Sequence, residues 1–247
     1  MKDESKRFLE RRANAERDVS FRRSSPKPRE APRTEAELEA RARDLAGLTV
    51  RELAERMRLT LPPSSARGKG FAGTLAELAL GADAGNRSEP DFIELRVELK
   101  TIPLDSRGRP LETTFVCTVP LPDIIELEFE DSPLYHKLRR VFFLPIEGEA
   151  ELADRRFGVG FFYSPDEGEL AVIRRDWELF GELIANQELE AIDGSLGEIV
   201  QIRPKGRDAQ DRVLGPLQDD GLDYARPLGF YLRTRHTRAI VARALGL

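Results

Sequence analysis

The sequence predicts an α/β (α+β) fold, in which helices flank a mixed β-sheet. Three observations lead to this prediction. Capped segments with apolar residues at helical spacing occupy residues 34–80, and segments with alternating apolar residues begin at residue 93. A long amphipathic segment then spans residues 167–190. Because helical segments precede and follow the strands in the chain, we expect the helices to cover the sheet.

The first helices are marked by their N-terminal caps. The sequences TEAE, which begins at Thr34, and TVRE, which begins at Thr49, are capping boxes in which a glutamate follows the capping threonine by three residues. The loop LPPSSARGKG separates them from a third helix, predicted from Phe71 to Leu80 and ending near Gly81. The apolar side of this third helix is predicted to comprise Leu75, Leu78 and Ala79.

The strands are predicted where the spacing of the apolar residues changes from helical spacing to alternation. Four segments are predicted as strands: IELRVELKTI (93–102), ETTFVCTVP (about 112–119), RRVFFLPI (139–146) and FGVGFFYS (157–164). The helix at 167–190 comes next, with an apolar stripe formed by Leu170, Ile173, Trp177, Phe180, Leu183 and Ile184. The strand EIVQIRP, a polar loop, the short strand LGFYLRT and the closing helix TRAIVARAL, capped by Thr237, complete the chain.

The composition excludes several classes of protein. Of the 247 residues, 40% are hydrophobic and 34% are charged, which is typical of a soluble globular protein. A single cysteine, Cys117, and two histidines argue against a disulfide framework and a structural zinc site. The sequence has no apolar run long enough to cross a membrane and no signal peptide, so we expect a cytoplasmic protein without membrane contact.

The charge of the chain is unevenly distributed. Residues 1–33 carry 11 Lys or Arg against 6 Asp or Glu, so this segment has a net charge of +5 and the remainder −10. We interpret residues 1–33 as a disordered charged extension and residues 34–247 as one domain. A basic arm that contacts a phosphate backbone and a short amphipathic helix near Phe8 and Leu9 are the alternative interpretations of the extension.

The segment EPDFIELRVELKTIP contains the clearest candidate for chemistry. On the predicted strand, Arg96, Glu98 and Lys100 share one face, opposite an apolar face. Asp91 lies just upstream, and it joins Glu98 if the chain turns between them. Two carboxylates suit Mg²⁺, and an adjacent lysine stabilises the negative charge of a phosphodiester under attack. An ordinary solvated ion pair on a strand is the alternative for this weak pattern.

Five segments in the same order make the sequence similar to the MutH family, the strand-nicking endonucleases of DNA mismatch repair. The first is DFIELRVELKTIPLDSRGRPLETTFVC. The other four are GKGFAGTLAELALGA (68–82), YHKLRRVFFLPIEGE (135–149), LGEIVQIRPKG (196–206) and PLGFYLRTRHT (227–237). The resemblance covers about residues 34–247. It implies a restriction-endonuclease-like mixed five-stranded sheet with flanking helices, split into two arms around a DNA cleft.

The resemblance also implies an activity and its partners. MutH-like enzymes use Mg²⁺ to nick the unmethylated strand of double-stranded DNA at hemimethylated GATC sites. They are activated by MutL after MutS has found a mismatch. One site in a 247-residue chain fits a monomer that cuts one strand. A GATC-specific type II restriction endonuclease, which makes double-strand breaks, is the nearest alternative, and a DNA-binding scaffold without catalysis is a more distant one.

Site residues follow from the resemblance position by position. Asp91 and Glu98 match the metal-binding acids of the family, and Glu77 matches the helical glutamate that completes the metal site. Lys100 matches the catalytic lysine, and Lys137 matches a second active-site lysine. Without the resemblance, the sequence would lead us to interpret Glu77 and Lys137 as ordinary charged surface residues.

The candidate DNA contacts lie in other segments. Arg203, Pro204 and Lys205 follow a strand on a loop that can enter the major groove, where an arginine can pair with guanine O6 and N7. Tyr231 matches a family tyrosine near the adenine that carries the methyl group. Phe115 is a candidate wedge for the minor groove.

A phosphate contact is predicted before the third helix. Lys69 supplies charge there, and Gly70 permits close approach of the backbone at a helix N-terminus, which favours an anion. For Tyr231 and Phe115, packing in the core is the alternative, and for Arg203–Lys205 it is an ordinary basic turn.

Overall fold

The predicted α+β class is confirmed. The computed structural model describes residues 29–62, 70–83, 89–205, 213–216 and 222–246. The helices are α1 (Glu35–Arg43), α2 (Val50–Arg56), α3 (Phe71–Leu80), α4 (Pro133–Leu138), α5 (Glu167–Ala185) and α6 (Thr234–Leu245). The strands are β1 (Glu98–Leu104), β2 (Thr114–Thr118), β3 (Val141–Glu147), β4 (Phe161–Tyr163), β5 (Val200–Pro204), β6 (Val213–Pro216), β7 (Leu222–Ala225) and β8 (Leu228–Leu232).

The strands form two small sheets and a hairpin. In the first sheet, with the order β1-β3-β4, β1 pairs with β3 in parallel and β4 joins antiparallel. The second sheet, β2-β8-β5, is antiparallel, and β6 pairs with β7. The five-stranded sheet implied by the family resemblance is thus divided among the described strands, because β2 pairs with β8 and not with β1.

Two apolar cores lie on the two sides of the first sheet. Helices α1, α2 and α3 cover one side, where the buried cluster includes Leu38, Leu75 and Phe142. The other side faces the second sheet and α5, in a cluster that includes Phe143 and Phe230. Neighbouring residues of β3 thus enter different cores, as the alternation of a strand requires. The first sheet is therefore covered on both faces.

The predicted caps explain where α1 and α2 begin. The hydroxyl of Thr34 accepts from the backbone N–H of Glu37 at 3.1 Å. The Glu37 carboxylate accepts from the N–H of Arg33, so only half of this predicted capping box forms. At α2, Thr49 makes the complete reciprocal box.

The first predicted strand starts later than expected. Residues 93–96 form a turn in which Arg96 has a φ of 54°, and regular β structure starts at Glu98. Arg96 therefore does not share a strand face with Glu98 and Lys100. The segment predicted at 157–164 is a strand only at 161–163, because residues 157 and 158 bond irregularly to the end of β3.

Several helix predictions are also corrected. Helix α3 buries Leu75, Ala76 and Leu80, whereas Leu78 and Ala79 lie half-exposed at its edge. Helix α5 ends at Ala185 rather than at 190.

The closing helix starts before its predicted cap. Arg233 is the N-cap of α6, because its carbonyl already accepts from the N–H groups of His236 and Thr237. Thr237 therefore lies inside the helix, where it is fully buried. Helix α4 and the β6-β7 hairpin were not predicted, since each is short and β6 falls in the segment that was predicted as a polar loop.

Most of the predicted N-terminal extension, residues 1–28, lies outside the described residues. Residues 29–33 are described, and the carbonyl of Glu30 accepts from Arg41 of α1. Within the described residues, no helix is long and apolar enough to span a membrane.

Candidate active site

The candidate active site is built where β1 begins. The turn at 93–96 folds the chain back, so that Phe92 and Val97 bond to each other through both backbone amides, at 2.9 and 3.2 Å. Asp91 thereby comes beside the strand, and its Oδ2 accepts from the N–H of Leu99 at 2.9 Å. The turn between Asp91 and Glu98, on which the metal hypothesis depends, is therefore present.

Glu98 lies at the centre of a buried ion-pair cluster. Only 1% of this residue is exposed, although its side chain carries a carboxylate. The ammonium of Lys100 donates to Glu98 Oε1, and the ammonium of Lys137 donates to Oε1 at 3.2 Å and Oε2 at 3.0 Å. Because an unpaired buried charge is strongly destabilising, the ammonium groups of these two lysines compensate the carboxylate of Glu98.

Glu77 and Asp91 add further negative potential to this cluster. Burial, followed by the charge of Asp91, raises the pKa of Glu77 above its ordinary value. Burial, followed by the charge of Glu98, likewise raises the pKa of Asp91. Burial alone would lower the pKa of Lys100, but the carboxylates of Glu98 and Asp91 outweigh it and leave this pKa raised. Lys100 is therefore protonated at neutral pH, beside acids that resist ionisation.

A cleft of about 520 Å³ opens above this cluster. Eight of the predicted site residues line it: Gly70, Glu77, Lys100, Phe115, Arg203, Pro204, Lys205 and Tyr231. Asp91, Glu98 and Lys137 do not line the cleft; Glu98 and Lys137 are joined to it through Lys100, and Asp91 through the backbone of Leu99. Lys69 lies outside the described residues. The cleft thus places Glu77 and Lys100 on one continuous surface with the predicted DNA-reading loop.

The far wall of the cleft comes from the second sheet. The Phe115 and Tyr231 rings pack edge to face, with their centroids 5.3 Å apart. The ammonium of Lys205 lies 3.6 Å from the Phe115 ring centroid. Gly229 permits this contact, because a Cβ there would approach the Phe115 ring to 2.9 Å. Arg203 is exposed and donates to the hydroxyl of Thr113 at 3.2 Å.

Sequence reasoning missed some residues of the cleft. Gly73, Thr101, Glu112 and Thr113 also line it. Thr113 positions the guanidinium of Arg203 across 90 residues of sequence, so no local pattern indicated its place. Gly73 was detectable in principle as a glycine inside a helix, where it weakens the helix unless close approach requires it.

The carboxylates fit a divalent cation that keeps most of its waters. Among the described residues, no three His, Cys, Asp or Glu side chains form a ready-made metal cage. Glu98 is bonded to two lysines, whereas Glu77 and Asp91 are hard oxygen donors whose pKa values are raised, first by burial and then by a neighbouring carboxylate. Mg²⁺ takes only one or two carboxylates together with waters and substrate phosphate, and this donor set matches that preference.

Comparison with known proteins identifies the family. The family model "DNA mismatch repair enzyme MutH" matches residues 80–176. The DNA mismatch repair protein MutH of Shewanella sp. (strain MR-7) is 41% identical over 222 residues, which cover 89% of this chain and 100% of that protein. The chain belongs to the MutH family. The MutH of Shewanella baltica (strain OS185) is 42% identical over 217 residues, covering 87% of this chain and 97% of the relative.

Membership in the MutH family confirms the resemblance and the class of activity expected from it. The chain is a DNA mismatch repair enzyme and a DNA endonuclease, of a class that generally uses a divalent metal. The matched segment from 80 to 176 includes Asp91, Glu98, Lys100 and Lys137, so the buried cluster falls inside the family's model.

Proposed function

We propose that this MutH-family enzyme uses Mg²⁺ to nick the unmethylated strand at hemimethylated GATC sites, and that MutL activates it after MutS has detected a mismatch. The observation that carries the proposal is the single cleft that joins the acid–lysine cluster to the loop at 203–205. An enzyme that cuts at a defined sequence needs chemistry and base reading on the same surface.

The acids are proposed to hold the metal. Asp91, Glu98 and Glu77 form the proposed acid set. Glu77, which lines the cleft, and Asp91, which accepts from the β1 backbone, are the carboxylates without a bonded lysine, and Glu98 is the third acid, held by Lys100 and Lys137. A bound Mg²⁺ would polarise the phosphate and lower the pKa of a water. Asp91 is fixed by its bond to Leu99, so its carboxylate keeps one orientation before DNA arrives.

The lysines are proposed to stabilise charge on the phosphate. Lys100 lines the cleft, and its raised pKa keeps its ammonium protonated there. It can therefore donate to an oxygen of the phosphodiester as negative charge develops. Lys137 is proposed as the second lysine of the site, and its bonds to both oxygens of Glu98 hold that carboxylate in place.

The second sheet is proposed to read the DNA. Arg203 is exposed at the end of β5 and is proposed to pair with guanine, with Pro204 and Lys205 beside it. Tyr231 is proposed to sense the methylated adenine, and its ring is already fixed by Phe115. Gly70 and Lys69 are proposed to contact a phosphate, since Gly70 has a φ of 85° at the start of α3.

The enzyme is proposed to act as a cytoplasmic monomer. One acid–lysine cluster in the chain is enough to cut one strand for each encounter, whereas two copies would be needed to break both strands. A GATC-specific restriction endonuclease that dimerises is the alternative outcome, and the same experiment separates the two.

Three duplexes with a single GATC site test the proposal. The unmethylated, hemimethylated and fully methylated duplexes are incubated with the purified chain, Mg²⁺ and MutL, and with Lys100→Ala as the control. We expect nicks in unmethylated strands only, no cleavage of the fully methylated duplex, and no cleavage by the variant. Double-strand breaks without MutL would instead identify a restriction endonuclease, and DNA binding without any cleavage would identify a scaffold.

A further inference from the structure

The C-terminal end of α3 is a junction of three segments, and it lies one turn beyond Glu77. Gly81 and Ala82 both donate from their backbone N–H groups to the carbonyl of Glu77, at 2.9 Å each. Glu77 therefore belongs to the closing turn of the helix, and it also lines the cleft. Whatever fixes this helix end also fixes the position of the Glu77 carboxyl group.

Arg41, on α1, holds the junction together. One guanidinium nitrogen donates to the carbonyl of Leu80 at 2.7 Å and to the carbonyl of Glu30 at 2.6 Å, and another donates to Glu37 at 2.6 Å. The last carbonyls of a helix have no partner within the helix, so Arg41 satisfies one that would otherwise be left unpaired. A positive charge at a helix C-terminus also stabilises the helix.

The burial of Arg41 indicates that the contact is specific. Only 7% of the residue is exposed, and among the described residues its Nε has no hydrogen-bond partner. A guanidinium on the protein surface would remain hydrated. Burying it costs free energy, which must be offset by bonds to charged or carbonyl groups. Here those bonds converge on the end of α3.

Gly81 makes the close packing possible. Its φ is 88°, and a Cβ there would lie 2.5 Å from the carbonyl oxygen of Glu30 and 2.8 Å from the guanidinium of Arg41. The chain at residues 29–30, helix α1 and the end of α3 are thus in direct contact. Arg29 adds a bond to the carbonyl of Ala79 at 3.5 Å.

We infer that Arg41 is a positioning residue for the metal site: it acts through the end of α3 to set the place of the Glu77 carboxyl group. The inference rests on the proposed function, because it takes Glu77 to be a metal ligand. Arg41 does not line the cleft, and the groups it contacts are two backbone carbonyls and Glu37. Its effect is therefore expected on metal affinity and not on DNA binding.

Metal binding is measured directly with Mn²⁺ as the probe. Free Mn²⁺ is counted by its electron paramagnetic resonance signal while the full chain is titrated in the presence of a fully methylated GATC duplex, which the proposed function leaves uncut. Arg41→Met, which keeps the aliphatic stem, is expected to weaken Mn²⁺ binding about tenfold. This is the low end of the loss in metal affinity that follows when a residue that orients a metal ligand, without contacting the metal, is replaced. Gly81→Ala, which strains the same junction from the side of α3, is expected to act in the same direction.

Arg155→Met is the matched control. Arg155 is half-buried and, like Arg41, donates to a backbone carbonyl, that of Ala150 at 2.9 Å, but it has no bond to α3 among the described contacts. Thermal unfolding of all variants shows whether each is folded during the titration. We expect Arg155→Met to lower the melting temperature without changing Mn²⁺ binding. If Arg41→Met and Gly81→Ala fold and bind Mn²⁺ as the wild type does, the inference is overturned.

A double-mutant cycle separates this inference from the proposed function. If Arg41 acts through Glu77, Arg41→Met changes Mn²⁺ affinity in the wild type but has no further effect in a Glu77→Gln background. Additive effects of the two substitutions would overturn the inference, even where nicking proceeds as proposed. Conversely, an enzyme that binds Mn²⁺ with the expected coupling but does not nick hemimethylated DNA would refute the proposed function and leave the role of Arg41 intact.

Discussion

The two ends of the cleft are built by opposite physical means. At the first sheet, Glu98 is 1% exposed and is bonded by Lys100 and Lys137, which are themselves mostly buried. At the second sheet, Arg203 and Lys205 are exposed. The first end is thus fixed by mutual charge compensation before any substrate arrives, whereas the second end presents its charges to solvent.

This difference explains which properties each end controls. Charges that are desolvated act strongly on a phosphate, because little solvent screens them and no reorganisation is needed during the reaction. Charges that remain in water contribute little to stability but can exchange their hydration for contacts with base edges and phosphates. Substitutions at the first end should therefore change chemistry and stability, and those at the second end should change recognition.

The largest expected effect is on the rate of cleavage. Lys100→Met removes the ammonium that lines the cleft and keeps the aliphatic stem. Because the proposed function places this preorganised charge at the site of reaction, we expect the single-turnover nicking rate to fall about 10³-fold. DNA affinity, measured in parallel by fluorescence anisotropy, should change only slightly. A fall in affinity as large as the fall in rate would place Lys100 in binding instead of catalysis.

A second prediction concerns stability in the absence of metal. Glu98→Gln keeps the shape of the side chain but leaves the ammonium groups of Lys100 and Lys137 without their shared carboxylate. Removing one partner from a buried ion pair typically costs 3–5 kcal/mol, and we expect about 3 kcal/mol because Asp91 remains nearby. Urea denaturation measures the change. Glu112→Gln, an exposed acid of the same cleft, should have almost no effect.

The third prediction applies to the exposed end. Arg203→Ala should reduce discrimination between GATC and single-base variants by about 1–3 kcal/mol, because the proposed function assigns this side chain a bidentate contact to guanine. Its free energy of unfolding should change by less than about 0.5 kcal/mol, because its one described side-chain bond is to the exposed hydroxyl of Thr113. Competition binding with variant duplexes measures the first effect. Equal weakening on every sequence would mean that Arg203 contacts phosphate only.

Local signals in the sequence predicted the helices better than the strands. Thr34 and Thr49 cap α1 and α2 as expected, because a cap depends on residues within one turn. The start of β1 was misplaced, because the alternation of apolar residues continues through a turn that only the φ of Arg96 reveals. The division into two sheets could not be predicted either, since strand pairing depends on contacts distant in sequence.

The sequence indicated the residues of the candidate site but not the hydrogen bonds and ion pairs between them. Asp91, Glu98 and Lys100 lie within ten residues of one another, so the motif itself is readable. The bonds from Lys137 to Glu98 span 39 residues, and no periodicity indicates that both lysines share one carboxylate. No local pattern singles out Arg41, because its bond to Leu80 depends on how two helices meet.

The smallest expected effect distinguishes two carboxylates within the buried end. Glu77 has no ammonium bonded to it among the described contacts, and burial with the nearby charge of Asp91 raises its pKa. A carboxyl group whose pKa is raised on folding binds protons more tightly in the folded state, so its contribution to stability is full below about pH 4.5 and is lost as the pH rises through the folded-state pKa. Its ionised form therefore destabilises the metal-free protein at pH 7.

Glu77→Gln should consequently stabilise the metal-free protein slightly at pH 7, while Glu98→Gln destabilises it. The gain from Glu77→Gln should shrink as the pH is lowered towards 4.5, because the wild-type carboxyl group then becomes neutral as well. Thermal unfolding between pH 4.5 and 7.5, in the presence of a chelator, measures the difference between variant and wild type at each pH. A difference that stays constant with pH would mean that Glu77 is not held in an unfavourable ionised state. In that case positive charge would compensate every buried carboxylate of this end of the cleft, and not Glu98 alone.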